Sequence, residues 1–101
     1  MPTTCKEAIK KWEQETGQKP EDATEVKLIA LRPPIDRMDE NLNQFEQCVR
    51  LSLSSNQIDR FIALPKLRNL KVLSLGRNNI KRIISLEEIG QTLEELWLSY
   101  N

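Results

Sequence analysis

Apolar positions along this chain repeat with a long, regular step. The pattern Cys48-x-x-Leu51-x-Leu53-x-x-Asn56-x-Ile58-x-x-Phe61 overlays Leu70-x-x-Leu73-x-Leu75-x-x-Asn78-x-Ile80-x-x-Ile83 at a constant shift of 22. It begins again at Leu93-x-x-Leu96-x-Leu98-x-x-Asn101, now shifted by 23, and the extra residue falls in Gly90-Gln91-Thr92. Leu42, Leu64 and Leu86 keep the same step, as do Phe45, Leu67 and Ile89. Within each copy the pairs Leu51/Leu53, Leu73/Leu75 and Leu96/Leu98 alternate with a period of two, which predicts a short strand with both leucines on one face. Copies that stack side by side make a parallel sheet with the leucines inward. Leu64, Leu67 and Leu70 recur every third residue, suiting a 3₁₀-like return path. An asparagine closes each leucine run although asparagine is seldom buried, because its amide needs partners on both halves. At a strand exit it can satisfy backbone groups that the turn would otherwise bury unpaired. Asn56, Asn78 and Asn101 are therefore expected to form a structural ladder.

The beginning of the chain follows another rule. Thr4-Cys5-Lys6-Glu7 fits a capping box, Ala8, Ile9 and Trp12 supply an apolar stripe, and Gly17 suits a helix stop before Pro20. A helix of about 12 residues is marginal alone, so it must dock. Glu25 to Met38 reads as a degenerate copy, with Leu28, Ala30, Ile35 and Met38 lying 23 residues before Leu51, Leu53, Ile58 and Phe61 and Pro33 in place of the asparagine. The fold expected is an α/β leucine-rich-repeat solenoid: an N-terminal capping helix, then stacked 22-residue repeats with a parallel sheet on the concave face. Its parts are a helical cap over 1–24, a capping repeat over 25–41 and repeats over 42–101, the last truncated. Leu93, Leu96 and Leu98 have no following repeat, which implies an incomplete chain or a covering partner.

Composition narrows the function. Lys plus Arg and Asp plus Glu are 15 each, so net charge favours neither a polyanion nor a membrane surface. The longest apolar runs are four residues, against about 20 for a membrane span and about 7 to 15 for a signal-peptide core. Pro2 excludes the N-myristoylation pattern. Two cysteines and no histidine argue for a reducing, cytoplasmic setting with Cys5 and Cys48 as free thiols. Without histidine, neither a Ser-His-Asp nor a Cys-His pair can be assembled, and neither a metal site nor a cofactor is implied. Glu94 and Glu95 are strand neighbours pointing to opposite faces, so they cannot share an acid/base site. The expectation is a protein that is not an enzyme.

The strand positions between the leucines form the columns Arg50/Val72/Glu95, Ser52/Ser74/Trp97 and Ser54/Gly76/Ser99. Small residues clear a trough with Trp97 at its edge, so Arg50, Ser52, Val72, Ser74, Glu95, Trp97 and Tyr100 are the candidate partner-binding set. Residues 60 to 82 carry seven basic and no acidic side chains, and residues 83 to 101 carry four acidic and no basic ones. Arg77, Lys81 and Arg82 are candidate contacts for an acidic partner, although a solvated convex face is the favoured reading of such a run. Trp97 and Tyr100 stand apart from the basic band, which disfavours nucleic acid.

With these features set out, the chain resembles the leucine-rich-repeat light chains of axonemal outer-arm dynein. The resemblance is carried by Thr4-Cys5-Lys6-Glu7-Ala8 with Trp12-Glu13, by Pro33-Pro34-Ile35-Asp36-Arg37-Met38-Asp39 and by Thr92-Leu93-Glu94-Glu95-Leu96-Trp97-Leu98-Ser99-Tyr100-Asn101. It implies a non-catalytic subunit of a ciliary motor, located in the cytoplasm and axoneme. Such a subunit binds a dynein heavy chain near its microtubule-binding stalk and influences motor engagement with tubulin. The later repeats and C-terminal helical segment of that family are not in this sequence. The alternative on sequence grounds is a leucine-rich-repeat adaptor of a phosphatase or ribonucleoprotein complex.

Overall fold

The computed structural model describes residues 1–60, 62, 64–81 and 92–101. Among these residues one α-helix, α1 (Cys5–Thr16), precedes four short strands, β1 (Glu25–Lys27), β2 (Arg50–Ser52), β3 (Val72–Ser74) and β4 (Glu95–Trp97), with a 3₁₀ helix at Glu40–Gln44. The strands form one sheet in the order β1-β2-β3-β4, every pair parallel. This arrangement is compatible with a leucine-rich-repeat fold.

The capping box forms as the sequence predicts. The Glu7 N–H donates to the Thr4 hydroxyl at 3.1 Å, and the Glu7 carboxylate accepts from the Thr4 N–H at 3.1 Å. At the other end Gly17 adopts φ 69°, a left-handed conformation that costs a Cβ-bearing residue, and its N–H donates to Glu13 O. The buried stripe Cys5, Ala8, Ile9 and Trp12 docks on the body, with the Trp12 ring edge-on to Phe45 at 5.4 Å and 86°. A further tie runs from the Thr3 N–H to Pro34 O.

Val26, Leu51, Leu73 and Leu96 stand in register across the sheet, so successive strands lie 25, 22 and 23 residues apart. The first spacing corrects the sequence reading, which matched Leu28 and Ala30 to Leu51 and Leu53. The inward pair is Val26 and Leu28, and Ala30 instead takes the left-handed turn position shared by Ser55, Arg77 and Tyr100. Ile35 still lies 23 residues before Ile58, because each N–H donates to an asparagine Oδ1 of the next copy, Asn56 or Asn78, at 3.0 Å. Two surplus residues are therefore held in the turn between Ala30 and Ile35, where Pro33 and Pro34 sit. A turn tolerates extra length far better than a strand whose inward face is buried.

On the return path, Phe45 N–H donates to Leu42 O and Cys48 N–H to Phe45 O, and Leu67 and Leu70 repeat this with Leu64 and Leu67. These three-residue steps turn Leu42, Phe45, Cys48, Leu64, Leu67 and Leu70 inward, and all six are buried. Phe61, Ile83, Leu86 and Ile89, assigned to the same pattern, lie outside the described residues.

Candidate partner-binding face

Alternation along each strand sends one set of side chains into the core and the other to the opposite face. Leu51 and Leu73 are buried and Leu96 is half-buried against them. The opposite, open face carries Glu25, Arg50, Val72 and Glu95 in one row and Lys27, Ser52, Ser74 and Trp97 in the next. The columns predicted from sequence are thus brought together, and β1 adds Glu25 and Lys27, which the displaced alignment missed. The signal was present: in Glu25-Val26-Lys27-Leu28, charged and apolar residues alternate.

Between the charged and aromatic ends, the face is low and polar. The hydroxyls of Ser52 and Ser54 lie 3.2 Å apart and those of Ser54 and Ser74 2.7 Å apart, forming a short chain across β2 and β3. Gly76 continues the low ground, and a Cβ there would already touch Ser99 O at 3.4 Å. Trp97 is 55% exposed and Tyr100 80% exposed. Tyr100 stands on the left-handed turn after β4, and the Arg77 guanidinium lies 5.2 Å from its ring centroid, within cation–π range. Arg77 and Lys81 are both exposed, whereas Arg82 lies outside the described residues.

Beneath this face the asparagines hold the strand exits. Asn78 accepts from the Ile58 N–H at 3.0 Å and donates to Leu53 O at 3.0 Å, Leu75 O at 3.1 Å and Gly76 O at 3.3 Å. Asn56 makes the equivalent bonds to Ile35, Leu28, Leu53 and Ser54. Asn101 repeats them with Ile80, Leu75 and Leu98. Each amide joins its own copy to the preceding one. Asn56 and Asn78 are only 6% and 5% exposed, so these residues are structural and unavailable to a ligand.

Cys5 and Cys48 are free, buried thiols. Burial pushes both up from the ordinary value of 9.0 to about 11, with the charge of Asp39 adding to the effect at Cys5. A thiol so poorly ionised is a weak nucleophile, in keeping with a packing role. Among the described residues, no three His, Cys, Asp or Glu side chains gather as a metal site, and no helix is long and apolar enough to cross a membrane.

No protein-family model matches the chain. Among curated proteins it is 58% identical over 95 residues to dynein axonemal light chain 1 of Danio rerio, covering 94% of this chain and 50% of that protein. It is 54% identical over 93 residues to the human protein of that name, covering 92% and 49% respectively. With the Chlamydomonas reinhardtii protein of that name the identity is 43% over 97 residues, covering 96% and 49%. The chain spans about half the length of the curated relatives it matches.

Proposed function

We propose that this chain, homologous over nearly its whole length to proteins named dynein axonemal light chain 1, is itself part of a non-catalytic axonemal dynein light chain. It works in the cilium, holding a dynein heavy chain near its microtubule-binding stalk and modulating how the motor meets the microtubule. The fold is read as a leucine-rich-repeat solenoid of 22- and 23-residue steps. The observation that carries the binding reading is the open sheet face, where exposed Trp97 and Tyr100 border a trough floored by serine hydroxyls and Gly76. Large aromatics beside cleared ground are the residues that contribute most when a partner seats against them. Arg77 and Lys81 supply positive charge beside that face for an acidic surface such as tubulin.

The test uses full-length protein and a heavy-chain stalk fragment containing the microtubule-binding domain, with affinity read by calorimetry. Trp97→Ala is expected to weaken binding by about 2 kcal/mol, roughly thirtyfold. Its melting temperature should be unchanged, since the side chain lies on the solvent side of the sheet. Unchanged affinity in a Trp97→Ala protein of wild-type stability would remove this face from the interface.

A further inference from the structure

A second surface lies at the other edge of the sheet, away from Trp97. Leu28 N–H donates to Ser52 O at 2.9 Å and Ala30 N–H to Ser54 O at 3.1 Å, so the even-numbered residues of this segment face β2. In a parallel pair the intervening residues turn their N–H and C=O groups the other way. Lys27 and Ile29 therefore present backbone donors and acceptors to the free edge, and among the described residues neither has a backbone partner there. Alongside runs a cleft of about 280 Å³ between α1 and the segment after β1. Exposed Ile29 and half-buried Leu31 are its accessible apolar side chains, Ala8, Trp12 and Leu28 beside them being buried, and Lys11, Glu15, Lys27 and Arg32 bring charge to it.

An unpaired strand edge facing a helix across a cleft of mixed apolar and charged lining suits one kind of guest. An extended peptide can pair its backbone with the edge and drop alternate side chains into the cleft. Charge indicates which peptide. Lys11 pairs with Glu15 at 3.9 Å and Lys27 with Glu25 at 3.4 Å, while Arg32 has no ion pair among the described residues. With both lysines so paired, Arg32 is the lining cation left over, so an acidic residue is favoured beside it. We propose that the edge of β1 and the cleft beside α1 form a β-augmentation site. It takes an extended segment of a protein partner, with an aliphatic side chain against Ile29 and Leu31 and an acidic residue beside Arg32. The charged pair Glu25 and Lys27 on a strand of three residues guards the same edge against indiscriminate sheet growth. This site adjoins the open face at Lys27 but lies at the sheet edge opposite Trp97, and it does not rest on the dynein reading.

The probe is a terminally blocked hexapeptide, Val-Thr-Leu-Thr-Asp-Glu, added to the isotope-labelled chain up to about 1 mM, the range of a weak single-segment contact. Amide shifts and slowed hydrogen exchange are expected at Lys27 and Ile29, with a shift of the Trp12 indole. Arg32→Glu, at an exposed position, should weaken the affinity at least about tenfold, as should replacing the acidic pair of the peptide by lysines. Trp97→Ala should leave it unchanged. No shifts at Lys27 and Ile29, shifts confined to the Ser74–Trp97 face, or indifference to Arg32→Glu would each overturn the proposal.

Discussion

Replacing Asn78 by alanine removes three well-formed hydrogen bonds at once: one accepted from Ile58 N–H at 3.0 Å, and two donated to Leu53 O at 3.0 Å and Leu75 O at 3.1 Å. The contact with Gly76 O at 3.3 Å is the weakest of the set. Each net bond is worth about 1 kcal/mol, and the stranded backbone groups are buried where water replaces the amide poorly. A loss of about 3 kcal/mol is therefore expected. For a domain of this size that lowers the melting temperature by on the order of 15 °C. Asn79→Ala is the control. Its side chain is exposed, and the bond it makes from its backbone N–H to Ile58 O at 2.8 Å survives the substitution, so the change should stay within about 0.5 kcal/mol. Asn101→Ala should fall between them, because Asn101 makes the same kind of bonds from an exposed position where water can substitute. Urea denaturation with an unchanged slope reads all three. Equal midpoints for Asn78→Ala and Asn79→Ala would refute the ladder.

Two further outcomes follow from the fold. Ser55 holds φ 58° at the turn after β2, so Ser55→Val should cost about 1 to 2 kcal/mol while Ser55→Asn, which tolerates that region, should cost little; the thermal midpoints decide it. The cysteines set an alkaline limit: each thiol is held near 11 in the fold against 9.0 unfolded, so their contribution to stability is whole below pH 9. It declines as pH rises toward 11, because the unfolded chain then releases protons that the folded chain keeps. Cys48→Ala should flatten that decline in denaturation midpoints measured across the window, and an equally steep decline would contradict it.

Much of this architecture is legible from residue order alone, because it rests on local rules. Leucines two apart dictate which strand face is buried, an asparagine that must satisfy both halves of its amide marks the turn, and Thr4, Glu7 and Gly17 bound the helix. The open face was legible for the same reason: once Leu51 and Leu73 point inward, Ser52, Ser74 and Trp97 must point out. Register at the first strand was not, since a constant step cannot reveal that the Ala30–Ile35 turn absorbs two surplus residues. Only pairing with β2 decides that Val26, and not Leu28, stands beside Leu51. The cleft beside β1 was hidden for a deeper reason. It exists because α1, distant in sequence, docks through Trp12 on Phe45 and leaves the edge of Lys27 and Ile29 uncovered. Periodicity reports which way a side chain faces, whereas the neighbour it meets is set by long-range packing.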